Sequence, residues 1–376
     1  MNKMLPFTRP TLDEETIQGV VEVLRSGWLA SGPNVKEFEA ALSRYLGGRP
    51  VRTQTSATAS LEHCLLACGI GPGDEVITPA QSFAATANVI VRVGARPVFV
   101  DIENVDTRQI DFDQVEAAIT PRTRAIMPVH FAGLALDMDR LYGIANRYRL
   151  RVIEDAALAI GTTWRGKRIG SFGDLACFSF HPNKTITSIE GGCIAGGSPE
   201  EVVAFERHRF HGQVKTAADQ FDTVFAGGKA NLSDVAARVG LGQLARLEEF
   251  IAKRRQLVAR YFELWGQDAP VRLPARGDEG HSWNFFAPLL PLEQMRITRL
   301  QFIEAMAERG IGVGVHYPAI HLFSAYRPLG YHEGQFPNAE RVGRETVTLP
   351  LFPGMELSDV DRVVEAVTDI VKGARK

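Results

Sequence analysis

Val152-Ile-Glu-Asp-Ala-Ala157 begins as an apolar strand, ends in two carboxylates and runs on into small residues. It is one of a series. Between residues 52 and 196, short β-rich runs recur at Glu75–Thr78, Pro97–Asp101, Ala125–Val129, Arg151–Glu154, Leu175–Phe180 and Gly192–Ala195. Helical patterns fill most of the gaps, at Ser56–Cys68, Phe83–Val93, Asp113–Ala118 and Met138–Tyr148. This alternation predicts an α/β protein with a mainly parallel sheet covered by helices on both faces. Such sheets bind ligands beyond the carboxyl ends of their strands, so chemistry is expected just after these runs.

Working outward, Thr11-Leu-Asp-Glu14 reads as a capping box that opens a helix with apolar positions Ile17, Val20, Val21 and Leu24. Ser26-Gly-Trp-Leu-Ala-Ser-Gly-Pro33 breaks it, and a second amphipathic helix follows with Val35, Phe38 and Leu42 on one face. Downstream, Ser233–Trp265 reads as one long helix with room for a kink, and Gly266–Gly280 as an exposed connection. The remainder predicts a smaller α+β unit. It has strands near Trp283–Leu290 and Ile311–Val315, a helix capped by Thr298-x-x-Gln301, and a last helix after Ser358 carrying Val360, Val363, Val364, Val367 and Val371. Two domains are expected, residues 1–250 and 251–376.

Composition narrows the function classes. Of 376 residues, 45% are hydrophobic and 23% charged, enough for a core of ordinary globular size. The formal charge, 42 − 44 = −2, leaves no basic excess for nucleic acid or a membrane surface. No apolar run reaches the roughly 18–20 residues of a membrane span. Met1–Pro10 lacks the apolar region of a signal peptide, so a cytoplasmic protein is expected. Cys64, Cys68, Cys177 and Cys193 are not spaced as a disulfide framework. Cys64 and Cys68 lie one helical turn apart beside His63. The apolar stretch Leu61–Ala67 around them favours core packing over a metal pair, and no metal site is expected.

Three stretches carry chemistry. Thr55-Ser-Ala-Thr-Ala-Ser60 opens a helix after an extended segment; Ser56 and Thr58 either cap that helix or, with its free N–H groups, cradle a phosphate. Asp155 stands where a strand ends, as a helix cap or as the counter-charge of a cation. Phe178-Ser-Phe-His-Pro-Asn-Lys-Thr185 leads a buried strand into a polar turn with one lysine, 29 positions after Asp155. In a desolvated turn Lys184 loses its proton and attacks carbonyls; on the surface it is an ordinary lysine. Gly191-Gly192 admits close approach by a ligand or a second chain. Pyridoxal 5′-phosphate needs a lysine for its aldehyde, an acid for its ring nitrogen, an anion cradle and a flat cover. Lys184, Asp155, Ser56 and Thr58 with Ser179, and Phe83 meet that list, each just after a predicted strand. Phe83 alone would read as a core aromatic.

The sequence resembles the sugar-nucleotide aminotransferases of the DegT–StrS family, fold-type I pyridoxal phosphate enzymes. The likeness runs nearly end to end. It is carried by Leu5-Pro-Phe-Thr-Arg-Pro10, Ser26-Gly-Trp-Leu29, Gly71-Pro-Gly-Asp-Glu-Val76, Glu154-Asp-Ala-Ala157, Ser179-Phe-His-Pro-Asn-Lys184, Glu190-Gly-Gly192, His316-Tyr-Pro318 and Leu349-Pro-Leu-Phe-Pro353. Ile77-Thr-Pro-Ala-Gln-Ser82, Phe210-His-Gly212 and Lys229-Ala-Asn-Leu-Ser-Asp234 look closest to the UDP-4-amino-4-deoxy-L-arabinose type.

The resemblance implies a large domain with a mainly parallel seven-stranded sheet and a smaller C-terminal domain. It implies transfer of an amino group from L-glutamate to a nucleotide-linked keto sugar, for polysaccharide, lipopolysaccharide or antibiotic synthesis. Lys184 would hold the cofactor as a Schiff base and shuttle protons. Asp155 would keep the ring nitrogen protonated. Ser56, Ala57 through its N–H, Thr58 and Ser179 would hold the phosphate, and Phe83 would stack on the ring. A neighbouring subunit of a homodimer would add Lys229, where many relatives have Asn, or the nearby Asn231. Trp28, His316 and Tyr317 would line the sugar-nucleotide pocket. Leu158 stands where relatives have His or Gln, and 215–228 matches no family motif. Competing expectations are a 3-keto-sugar aminotransferase, a pyridoxamine-dependent dehydratase, against which Lys184 speaks, and a cofactor-binding regulatory or scaffold protein without turnover.

Overall fold

The computed structural model describes residues 4–376. Its centre is a seven-stranded sheet. The strands are β1 (Val51–Gln54), β2 (Glu75–Pro79), β3 (Arg96–Val100), β4 (Thr123–Ile126), β5 (Arg151–Asp155), β6 (Leu175–Ser179) and β7 (Gly192–Gly196). They lie in the order β1-β7-β6-β5-β4-β2-β3. Strands β3, β2, β4, β5 and β6 are mutually parallel, and β7 runs antiparallel to both β6 and β1. Each predicted strand of the central region is present, with ends shifted by at most three residues.

Side chains alternate across the strands, and both faces are buried, as a mainly parallel sheet requires. On one face Ile77, Ile126, Val152 and Ala176 pack beneath the helices Pro33–Tyr45 and Met138–Tyr148. On the other, Val76, Ala125, Ile153 and Leu175 meet Leu61, Cys64 and Leu65 of the helix Ala57–Ala67. Cys64 is thus a core residue, with its Sγ 3.5 Å from that of Cys177.

A separate core gathers the later part of the chain, with Val360, Val363, Val367 and Val371 of the final helix, Leu357–Gly373, against Leu257, Tyr261 and Trp265. The long helix expected from Ser233 is two helices, Asp234–Ala245 and Leu247–Trp265, parted at Arg246 (φ −103°, ψ 5°). The second starts in the first core with Phe250 and Ile251 and ends in the later core, so it runs through the expected boundary at residue 250. Leu5, from the other end of the chain, bridges Ile311 and also packs in the later core.

Several expectations need correction. The strands foreseen at Trp283–Leu290 and Ile311–Val315 are only isolated bridges, such as Phe286 to Leu349 and Gly314 to Thr348. Pro288 and Pro291 lack the N–H groups a ladder needs, and Trp283 has φ 53°. The connection 266–280 is partly packed, since Val271 is buried and Arg272 pairs with Asp106 at 2.6 Å. The first helix, Glu14–Ser26, is capped by Asp13, whose carboxylate accepts the Thr16 N–H at 2.9 Å; Thr11 takes no part in the cap. The buried residues of this helix are Thr16, Gly19 and Val23, which lie against Asp234–Ala245. Ile17 and Leu24 of the predicted apolar stripe face outward. Close packing at Gly19 and Gly242 selects the small face, because larger side chains there would collide with Arg238 and Thr16.

Candidate active site

The carboxyl ends of the strands open into a cavity of about 490 Å³. Ser56, Ala57 and Thr58 reach it after β1, Phe83 after β2, Asp155 at the end of β5, and Ser179 and Lys184 at and after β6. His316 and Tyr317 close it from the later part of the chain. Nine of the twelve site residues expected from the sequence therefore share one cavity. Trp28, Lys229 and Asn231 do not line it. They lie together outside. Trp28 Nε1 donates to the Ser31 carbonyl at 3.1 Å, Asn231 Nδ2 donates to Ser31 Oγ at 2.6 Å, and Lys229 Nζ donates to Asn231 Oδ1.

The phosphate-cradle and helix-cap alternatives at residue 56 coexist. Ser56 Oγ accepts the Ala59 N–H at 3.1 Å, which leaves its own proton free to point into the cavity. The turn sits hard against β7. A Cβ on Gly192 would collide with Ala57 N and Ser56 C, so that glycine admits the chain's own turn rather than a ligand or a second chain. Three hydroxyl groups and the N-terminus of an eleven-residue helix make an anion cradle of neutral donors.

Asp155 is no helix cap. Its Oδ2 accepts from Thr86 Oγ1 at 2.7 Å, and its Oδ1 from the Ala157 N–H at 3.2 Å. Burial raises its pKa, and these two hydrogen bonds and the Lys184 charge oppose the rise. Its neighbour Glu154 points to the other face of β5, where it meets His130 Nε2 at 2.9 Å and Tyr142 Oη at 2.7 Å. Period-two alternation thus separates a structural carboxylate from the one at the cavity.

Lys184 is no surface lysine. It is partly accessible, its pKa is pushed down to about 8 by desolvation, and the Asp155 charge limits that drop. No hydrogen-bond acceptor among the described residues takes its Nζ, which lies 5.9 Å from the centre of the Phe285 ring. Phe83 is 58% exposed and stands over the cavity, its ring 5.6 Å from that of Tyr317, so it is no core aromatic. His316 is buried, stacks on Phe285 at 4.1 Å and contacts Thr348 Oγ1 through Nδ1 at 2.8 Å. Burial, then the Lys184 charge, lowers its pKa to about 4, so the ring is neutral at neutral pH. Leu158 packs with Phe131, Phe285 and Tyr317, an apolar wall with no polar group at its centre.

Thr86 and Phe285 were missed from the sequence. Thr86 lies one helical turn beyond Ser82, and that spacing was the available signal; Phe285 gave none, since only the tertiary fold brings it to Lys184. The set present fits pyridoxal 5′-phosphate: a lysine without a hydrogen-bond partner, a buried carboxylate, a donor cradle and an exposed aromatic face.

Comparison with known proteins agrees. Residues 10–368 match the DegT/DnrJ/EryC1/StrS aminotransferase family. The chain is 39% identical over 384 aligned residues to the spore coat polysaccharide biosynthesis protein SpsC of Bacillus subtilis, covering 99% of this chain and 98% of the relative. It is similar to Spr1654 of Streptococcus pneumoniae in its PLP form, with 33% identity, a TM-score of 0.92 and coverage of 98% of this chain and 99% of that one. It is also similar to DesV of S. venezuelae, solved with a ketimine intermediate, with 32% identity, a TM-score of 0.89 and 99% coverage of both chains. The cavity and these matches together lead to one conclusion: the chain belongs to the DegT/DnrJ/EryC1/StrS family and is a pyridoxal-phosphate-dependent sugar aminotransferase.

Proposed function

We propose that this enzyme, acting in the cytoplasm, moves an amino group from L-glutamate to a nucleotide-linked 4-keto sugar, giving an amino sugar for a surface polysaccharide or lipopolysaccharide. One observation carries this: Lys184, buried Asp155, the Ser56 and Thr58 hydroxyls at a helix N-terminus and the Ser179 hydroxyl at the end of β6 meet in a single cavity. The polysaccharide role named for SpsC supports the destination of the product.

When bound, the cofactor supplies an aldehyde for amine exchange and a ring that accepts electron density once its nitrogen is protonated. Lys184, largely deprotonated above pH of about 8, would hold the cofactor through its aldehyde and, when free, would serve as the base that moves a proton at the reacting carbon. Asp155 favours the proton on the ring nitrogen. Ser56, Ala57 N–H, Thr58 and Ser179 hold the phosphate, and Phe83 covers the ring. His316 and Tyr317 contact the sugar nucleotide, and Trp28, which lies outside its own chain's cavity, reaches it only across a subunit interface.

Among the described residues, Lys184 is the only lysine or arginine lining the cavity. A further cation would strengthen this cradle of neutral donors, and Lys229 of the partner subunit, with Asn231 beside it, supplies that group across a homodimer. The outward-facing Ile17, Leu24, Trp28 and Leu29 support such an interface, since exposed apolar clusters of this kind mark association surfaces.

The test is 2-oxoglutarate release from glutamate against a panel of UDP-, dTDP- and GDP-linked 3- and 4-keto sugars. Turnover with a 4-keto member is expected. Preference for a 3-keto member would move the amination site, and transfer only to free 2-oxo acids would overturn the substrate class.

A further inference from the structure

Ser82-Phe-Ala-Ala-Thr86 spans the start of the helix Ala84–Arg92. Phe83 projects at the cavity, which Ser82 also borders, and Ser82 and Thr86, four apart, lie on one side of the turn. Ser82 Oγ and Thr86 Oγ1 are 2.6 Å apart, and Thr86 Oγ1 is 2.7 Å from Asp155 Oδ2. Thr86 is also 3.1 Å from the Phe83 carbonyl. A hydroxyl has one proton to give. The carboxylate is the nearer acceptor and the charged one, so the Thr86 proton goes to Asp155. Thr86 Oγ1 then accepts from Ser82, whose hydroxyl has no other partner among the described residues. Thr86 is 0% and Ser82 1% exposed, so water does not compete. Other titratable groups acting on Asp155 are Lys184, His130, Tyr317 and Cys177. None of them donates a hydrogen bond to its side-chain oxygens.

We propose that Ser82 and Thr86 form a directional hydroxyl relay that positions Asp155 and holds it ionised, and that through it they set the protonation of the cofactor's ring nitrogen. Thr86 is a positioning residue, acting only through Asp155. This rests on the assignment of Asp155 to the ring nitrogen.

The experiment uses protein loaded with pyridoxal phosphate labelled with ¹⁵N in the ring. Wild type, Thr86→Val, Thr86→Ser and Ser82→Ala are compared by ring-nitrogen chemical shift and by cofactor dissociation constant. Losing a hydrogen bond to a charged group predicts weaker cofactor binding in Thr86→Val by a factor of about 10 or more. Its ring-nitrogen signal is expected to move toward the unprotonated value, with rescue by Thr86→Ser and a smaller displacement in Ser82→Ala. Wild-type shift and affinity in a folded Thr86→Val would overturn the relay. If Thr86→Val does not fold, an unshifted signal in Ser82→Ala does so instead. A wild-type signal that is itself unprotonated would overturn the assignment of Asp155, a separate failure.

Discussion

Lys184 and Asp155 show how one enclosure treats opposite charges. Desolvation disfavours the ion in each case, lowering the lysine pKa and raising that of the aspartate, and their mutual attraction limits both shifts. The consequence for the lysine has a definite sign. Its folded pKa, about 8, lies below the ordinary 10.5. Between those values the unfolded chain binds a proton that the folded chain has released, so cofactor-free protein gains stability as pH rises through that window. Uptake of pyridoxal phosphate by cofactor-free protein should accelerate as pH approaches about 8 and level off above it. Stopped-flow absorbance would show this, and a rate still climbing toward pH 10 would contradict it. Leu158 belongs to the same scale: packed with Phe131, Phe285 and Tyr317, it offers the cavity no hydrogen-bonding group from its side chain.

At the scale of elements, the site is a row of strand ends, and this is why so much of it was legible. Parallel strands buried on both faces leave a strong apolar pattern, and the residue after each strand falls at the same edge of the sheet. That rule sends Phe83, Asp155, Ser179 and Lys184 to one edge, where they share a cavity. Helix faces were read less well. The pattern Ile17-x-x-Val20-Val21-x-x-Leu24 marks an apolar stripe, yet the neighbouring helix selects the face made of Thr16, Gly19 and Val23. Hydrophobicity gives the stripe, and steric fit decides which face is covered. In the later part of the chain, Pro288 and Pro291 limit the expected strand at Trp283–Leu290 to isolated bridges. The turn at 55–58 illustrates the same steric rule. Gly192→Ala would push its Cβ into the Ser56–Ala57 backbone, which cannot yield as a flexible side chain can. Cofactor dissociation should increase by about tenfold or more, the cost of one lost anion contact, with the fold preserved by circular dichroism.

At the scale of the whole molecule, Trp28, Lys229 and Asn231 lie outside the cavity of their own chain. A single sequence cannot tell whether a residue serves its own site or another's, because spacing carries no information on which chain is meant. Complementation can. Lys184→Ala and Lys229→Ala should each be nearly inactive alone. Mixed and reassembled, they should regain activity, since a hybrid dimer would hold one site free of both substitutions. Equal inactivity of the mixture, with hybrids verified by mass spectrometry, would argue against sites shared between subunits.

The helix Leu247–Trp265 is anchored in one core through Phe250 and Ile251 and in the other through Leu257, Tyr261 and Trp265. Midway, Arg254 holds the carbonyls of Asn284 and Leu351, and with Phe250 it borders the small void behind Lys184. An unbroken rod pinned at both ends cannot serve as a pivot without bending its own hydrogen-bond ladder. The two cores are therefore tied together by one element, and the wall behind Lys184 is set by that tie.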